Sequence, residues 1–488
     1  MKTGFKCKRK LLFLMYCTFL FTGANAQPNL AFYTFNNQFN SFDYNPAFLT
    51  SREKFTFSIF PLAGSSVGFN NQQVIRDMTS QFLTGNLDSI DYDKAFNNMT
   101  NQSFLHQNAE SSLLSFTYRS NIGFFNFRIK ESEYFVASTD GELIKFLFNS
   151  GTQSAPLYQI QHLSAHAVHY REYSLGYAYK SRSNKFSAGV RAKLYYGKSA
   201  FFSNIAGSIQ QDKDTTDYIF KTSGTVNISF PNSFNKPNAP ANTIDLSSST
   251  IFDYLLNTGN PGMGIDLGIN YRVTPELSLS VSVIDLGKIN WKTNLNSRSL
   301  KLSKMLESST IKDKIITKGD SITYSRLFDF GELIKDSSTF SKPLPAKLYA
   351  GIKYQVSPIF SIGITDRLVV IKDLSYNSFS ATGKLDVNKI LSVSTGYSII
   401  GDSYLNIPLA FQFQANFGQF YLGTDNMTAL WLPNYAQFAG ISFGACFYLF
   451  TQRNLYLKPS NLTPFYRPRK IIKNRRTGRH IKADPDYN

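Results

Sequence analysis

Apolar side chains recur at every second position over much of this chain. Between Tyr404 and Gly418, Leu405, Ile407, Leu409, Phe411, Phe413, Ala415 and Phe417 alternate with Asn406, Pro408, Ala410, Gln412, Gln414 and Asn416. The same period runs through Tyr173–Tyr179, Phe186–Leu194, Ile265–Val273, Leu277–Val283 and Ile441–Leu449. A period of two is that of a β-strand, whose successive side chains point to opposite faces. Strands of soluble sheets average about 5–6 residues, whereas a tilted strand needs about 9–11 to cross a bilayer. The runs here have the bilayer length, with one face suited to lipid and the other to a wet interior.

The connections follow the same logic. Val273-Thr274-Pro275-Glu276, Ser181–Lys185 and Val356-Ser357-Pro358 join runs tightly, while 70–110, 204–262 and 286–345 are long gaps. Membrane barrels have short turns at one end and long loops at the other. The pattern predicts an all-β fold, a transmembrane antiparallel β-barrel of about 14 strands between Lys54 and Phe450. The long gaps then face outward or fold into the lumen. Helical spacing in Gln72–Gln107, Glu142–Asn149 and Ser249–Asn257 adds short loop or plug helices.

The ends set the compartment. Lys2, Lys6, Lys8, Arg9 and Lys10 precede an apolar core, Leu11 to Phe21, and Ala24-Asn25-Ala26 is an A-x-A cleavage site. Residues 1–26 therefore read as a secretory signal, its core too short for a membrane-spanning helix. Cys446 is then the one cysteine left, so the exported chain has no internal disulfide. The expected organisation is signal 1–26, periplasmic entry segment 27–52, barrel 53–450 and a disordered basic tail 451–488. An even strand count places both termini in the periplasm.

Composition sharpens this. Mean hydropathy is −0.21, yet 28 Tyr and 44 Phe bring aromatics to 15%, as aromatic girdles on a barrel wall require. The net charge of +18 is unevenly placed. Five positive charges lie in the first ten residues, and the segment after Phe450 carries ten Lys/Arg against two Asp. The remainder is nearly balanced, so a nucleic-acid partner is not expected.

Candidate sites follow from the alternation. Arg191, Lys193, Asp266 and Arg272 fall on the polar faces of their strands, and Glu172 shares the register of Ser174. Such groups form either a polar track for a solute or an internal ion-pair network. Asn45-Pro46-Ala47 either turns the chain into its first strand or tucks into the lumen as a hatch. In the tail, Arg467, Arg469, Lys470, Lys473, Arg475, Arg476, Arg479 and Lys482 suit a periplasmic protein, peptidoglycan or anionic headgroups. His162, His166 and His169 would share a helix face, but in a strand they do not, and no metal or other cofactor is expected. Gly64-Ser65-Ser66-Val67-Gly68 matches G-x-S-x-G without the α/β context of a nucleophile elbow.

Four segments together carry a family resemblance: FDYNPAFL (Phe42–Leu49), HYREYSLGYAYKSRSNKFSAGVRAKLYYG (His169–Gly197), GMGIDLGINYRV with VSVIDLGKINWK (Gly262–Lys292) and YLGTDNM (Tyr421–Met427). The chain resembles Bacteroidota outer-membrane barrels of a family without assigned activity. Its NPA-type N-terminus is similar to those of fatty-acid-transporter-like barrels and of barrels associated with type IX secretion and gliding. The resemblance implies about fourteen strands and no substrate. The leading expectation is a non-enzymatic outer-membrane barrel, in contact with outer-membrane lipid, that transports small or hydrophobic solutes. Alternatives are a scaffold holding a periplasmic or secretion-type partner through the tail, and a barrel lipid hydrolase or acyltransferase acting through Ser65 or Ser66.

Overall fold

The computed structural model describes residues 30–49 apart from 36–37, then 53–71, 102–140, 157–212, 218–231, 247–306, 334–431 apart from 337, 372–373, 389 and 402, then 436–449, 471–473 and 480–482. The signal and the expected helix Glu142–Asn149 lie outside them. The strands close into one antiparallel barrel of fourteen. In chain order they are β1 (Phe55–Ile59 and Ser65–Asn71), β2 (Gln102–Arg119), β3 (Phe124–Asp140), β4 (Tyr158–Lys180) and β5 (Phe186–Gln211). Next come β6 (Tyr218–Ser229 continued by Asn260–Arg272), β7 (Leu277–Trp291 continued by Ser297–Leu306) and β8 (Ile334–Asp336, Phe340–Pro343 and Ala346–Ser357). The wall ends with β9 (Phe360–Ile371), β10 (Leu374–Asp386), β11 (Leu391–Ile400), β12 (Ser403–Asn406 and Leu409–Gln414), β13 (Gly418–Thr424) and β14 (Phe438–Leu449). β1 pairs with both β2 and β14, which removes every free edge.

The alternation resolves into two solvents. In β7, Leu279 and Val281 are exposed on the outside while Ser278, Ser280 and Ser282 are buried inside. In β9, Ile362 and Ile364 face out, and Ser361 and Thr365 face in. An apolar belt outside a polar interior is the arrangement of a membrane barrel. None of the described helices is long and apolar enough to cross a membrane.

Three expectations need correction. Tyr404–Gly418 is not one strand: Pro408 has no N–H for the ladder and splits β12. The run then ends at Gln414, where Ala415–Phe417 turn and the Ala415 N–H bonds Gly418 O at 2.8 Å. Gln102–Gln107, expected to be helical, begins β2. The long gaps are also shorter than expected, because β5, β6 and β7 run far into them. With 26 residues at about 3.3 Å each, β5 extends about 85 Å, far beyond a hydrocarbon layer of about 30 Å even when tilted. Above the lipid the outward face carries polar residues such as Asn204 and Gln210, while Phe202, Ile205 and Ile209 stay buried inside, so the apolar-out, polar-in signal disappears. Within the tail, Ile471–Lys473 and His480–Lys482 form a short antiparallel pair.

One helix longer than a turn is described, α1 (Ser248–Leu256), capped by Ser247 Oγ accepting from Thr250 N. It is no plug. The Tyr254 hydroxyl meets His169 Nδ1 at 2.6 Å and Ser199 Oγ at 3.0 Å, and both residues lie on the outward face of β4 and β5. The α1 excursion leaves the wall at Ser229 and re-enters at Asn260. Asn260 knots the two ends. Its Nδ2 donates to Gly197 O at 3.3 Å and Ser229 Oγ at 3.4 Å, and its Oδ1 accepts from Lys292 N and Thr293 N at 2.8 and 3.0 Å.

The lipid-facing assignment predicts that Val281→Arg costs about 2–4 kcal/mol of stability if the residue lies near the midplane. Ser278→Ala, on the opposite face, should cost under about 1 kcal/mol. Urea titrations of the barrel in lipid vesicles read both.

Candidate functional site

Residues 30–49 lie inside the barrel. Leu30, Phe32, Phe35, Phe42 and Phe48 are all buried, although no strand contains them. The segment is a chain of three short 3-10 turns, Leu30–Thr34, Ser41–Asp43 and Pro46–Phe48. Asn45 starts the third. Its Oδ1 accepts from Ala47 N at 2.9 Å, and its Nδ2 donates to Ile269 O on β6 and Val281 O on β7, each at 3.2 Å. The Asn-Pro-Ala motif is thus both a turn and a clamp on two wall strands.

Glycines shape the seat. A Cβ on Gly268 would sit 2.0 Å from Asn45 Oδ1, and one on Gly189 would sit 2.3 Å from the Pro46 carbonyl carbon. Two real side chains there would push residues 45–47 off the wall. Higher up, Tyr33 stacks on Tyr349 with ring centroids 5.8 Å apart. Lys353 Nζ donates to Thr34 O at 2.6 Å.

Charge holds the middle of the plug. Asp43 pairs with Arg128 of β3, and Arg191 Nη1 of β5 reaches the same carboxylate at 3.2 Å. The Phe42 ring packs against both guanidinium groups, 5.3 Å from Arg128 Cζ and 5.2 Å from Arg191 Cζ. Burial alone would raise the Asp43 carboxyl, but the two arginines outweigh it and hold it well below the usual carboxylate range.

Arg191 hands the contact on to Asp266, and Asp266 to Lys193 at 2.9 Å. Lys193 belongs to a closed ring of alternating charge. It contacts Glu172 at 3.4 Å, Glu172 contacts Lys130 at 3.8 Å, and Lys130 contacts Glu110 at 3.1 Å. Lys347 then meets Glu110 at 3.1 Å and Asp285 at 3.0 Å, and Asp285 returns to Lys193. Lys347 of β8 reaches Glu110 of β2 across the lumen. Each ion is buried, and each has at least one opposite charge, as burial demands.

At the far end of the plug, Leu30 N donates to Asp425 Oδ1 at 2.8 Å, just beyond β13. Burial pushes the Asp425 carboxyl up to about 7, against the opposing pull of Arg367 and the Leu30 N–H. Beside the plug the wall bulges. β1 is interrupted between Ile59 and Ser65, with Ile59, Phe60 and Leu62 exposed outside, yet the bulge stays bonded to both neighbours: Phe60 N donates to Leu113 O of β2 at 2.9 Å, and Ala445 N of β14 donates to Leu62 O at 2.6 Å. Asn40 of the plug backs this bulge, donating to Ala63 O at 3.4 Å and to the Tyr421 hydroxyl at 3.0 Å.

Of the residues singled out by sequence, Glu172, Arg191, Lys193 and Asp266 converge in the network. Arg272 does not; it lies half-buried at the last residue of β6, next to the 273–276 turn. Arg467, Arg469, Lys470, Arg475, Arg476 and Arg479 lie outside the described residues, while Lys473 and Lys482 fall within the short strand pair. His162, His166 and His169 all belong to β4, and His169 turns outward to Tyr254 while His166 packs edge-on to Phe202, 5.3 Å between centroids. Ser65 and Ser66 begin the second half of β1 after Gly64, whose φ is +110, and no helix follows within the described residues.

Sequence reasoning missed Asp43, Glu110, Arg128, Lys130, Asp285 and Lys347. Arg128 and Lys130 were discoverable, since they alternate with Phe127 and Ile129. The two Ile-Asp-Leu-Gly repeats were also a signal: Asp285 N donates to Asp266 Oδ1 at 2.7 Å, and both carboxylates serve Lys193.

The chain belongs to the family of unknown function DUF5723, which it matches over residues 46–425. No curated protein matches it. Among solved structures it is similar to a mutant of the TodX monoaromatic hydrocarbon channel (10% identity, 83% of this chain and 92% of that one, TM-score 0.40). It is also similar to the toluene transporter TbuX of Ralstonia pickettii (12%, 83% and 90%, 0.35). A third is the translocator domain of the autotransporter NalP from Neisseria meningitidis (6%, 81% and 87%, 0.28).

Two outcomes follow from the seat. Gly268→Val should overpack residues 45–46 at a cost of about 1–3 kcal/mol, seen as faster proteolysis of the plug while the barrel keeps its heat-modifiable gel mobility. The Asp425 contact should depend on pH. A hydrated aspartate titrates near about 4, so between about 4 and 7 the seated plug holds a proton that the withdrawn one releases. Seating should therefore tighten as pH falls from about 7 toward 4, and Asp425→Asn should flatten that dependence in a pH series of plug proteolysis.

Proposed function

We propose that this DUF5723 barrel is an outer-membrane channel for small apolar solutes, closed by its own N-terminal segment and opened when that segment withdraws. The observation that carries the reading is the burial of residues 30–49 in a lumen shaped for them. A closing element that served only as filler would need no glycine seat and no contact with a bulge in the wall. Here Asn40 stands against the bulge in β1, and apolar Ile59, Phe60 and Leu62 line its outer side. With the plug withdrawn, the bulge loses its inner support, and parting of its few bonds to β2 and β14 would join the polar interior to the lipid side. A solute of low polarity could leave sideways into the membrane without crossing the ion ring. The short-turn end, where the plug enters, is the periplasmic end in this reading.

The experiment is a covalent lock. In Asn40→Cys/Ala63→Cys, oxidation should fix the plug against the bulge and reduce uptake of an apolar solute into liposomes by at least about tenfold, with recovery on reduction. Deleting residues 30–44 should instead raise uptake and single-channel conductance. An inert barrel after the deletion would overturn the channel reading.

A further inference from the structure

The contacts of the plug also describe what it excludes. Arg128 has one carboxylate within ion-pair distance among the described residues, and that carboxylate is Asp43. Its remaining described partner is Ser112 Oγ, 2.8 Å from Nε. Without the plug, the rest of this network still balances: three lysines against Glu110, Glu172 and Asp285 in the ring, and Arg191 against Asp266. The network therefore lacks one negative charge, and it lacks it at Arg128, beside Arg191. A buried guanidinium that loses its only anion is strongly destabilised, and a planar fork of this kind is suited to carboxylate. Against the same two guanidinium groups packs one flat ring, that of Phe42.

We propose that Phe42 and Asp43 occupy the site of the transported solute, an aromatic monocarboxylate, and that such a solute opens the channel by competing with the plug for Arg128 and Arg191. This rests on the channel reading above and amends its substrate class from wholly apolar to amphipathic, an apolar ring bearing one carboxylate. The ring takes the place of Phe42 against the guanidinium groups. The carboxylate restores the missing charge, so the plug can leave without stranding Arg128. A neutral aromatic compound supplies the ring without the charge, and a short aliphatic acid supplies the charge without the ring.

The test is equilibrium binding of 3-phenylpropionate to the purified full-length barrel in detergent, followed by calorimetry. Removal of the internal competitor in Phe42→Ala/Asp43→Asn should tighten binding by about tenfold or more, because the competent fraction rises. Arg128→Gln added to that variant should abolish it. 3-Phenyl-1-propanol and propionate should bind at least about tenfold more weakly than 3-phenylpropionate. Gly268→Val, which unseats the plug without touching either arginine, should reproduce the gain if the double variant folds poorly. Equal binding of acid and alcohol by a folded, unseated barrel would overturn the assignment, as would no gain over the wild type. Conductance of the 30–44 deletion separates the two readings. Conductance without acid preference sinks the substrate class alone, whereas acid-selective binding without conductance sinks the channel alone.

Discussion

A charge taken out of water needs a counter-charge, and this rule organises the network at the centre of the barrel. Arg128 and Arg191 project from neighbouring parts of the wall and are both buried, and Asp266 answers only one of them. The balance closes through Asp43, which belongs to no strand. The N-terminal segment is therefore not a strap laid over a finished barrel. It completes the electrostatics of the wall, and its aromatic residues fill the volume that remains. The closed lysine–carboxylate ring beside it is neutral without help, which lets the lower lumen change occupant while the ring stays intact.

The wall and the plug divide the work of hydrophobic burial in an unusual way. Outside, Val281, Ile362 and their neighbours are matched by lipid, so they contribute to anchoring rather than to a core. The apolar core of this protein is instead built around the plug, where Leu30, Phe32, Tyr33, Phe35 and Phe48 pack with Tyr349 and Tyr421. A second cluster around Trp291, Tyr195 and Tyr170 fills a separate part of the lumen. The core thus includes the segment that the proposed channel displaces to open. Its attachment by hydrogen bonds, glycine contacts and one shared carboxylate is consistent with a detachable piece.

The fold was legible because lipid imposes a strict period. Every strand that crosses the bilayer must alternate, so the turn at 273–276 and the faces of 265–283 could be read directly. The upper parts of β5, β6 and β7 were not legible, since their outward face meets water and no longer needs apolar residues, while Phe202, Ile205 and Ile209 pack inward. The site was half legible for a related reason. Arg191, Lys193 and Asp266 stand out as charges in otherwise regular alternation, and Arg128 and Lys130 carried the same mark. Asp43 did not. Its importance comes from a fold-back of the chain against residues 85 and 148 positions away, and no local period encodes such a contact. Asn45-Pro46-Ala47 showed that a turn was required but not that Gly189 and Gly268 had been emptied to receive it.

The knot at Asn260 separates the barrel from what it carries. One side chain ties Gly197, Ser229, Lys292 and Thr293, so the strand rejoins β5 three residues further on, from Ser229 opposite Ala200 to Asn260 opposite Gly197. The intervening segment can then lengthen at small entropic cost, since the penalty for closing a loop grows only with the logarithm of its length. The rim at this point works as a cassette, whose length can change while the wall beneath keeps its closure.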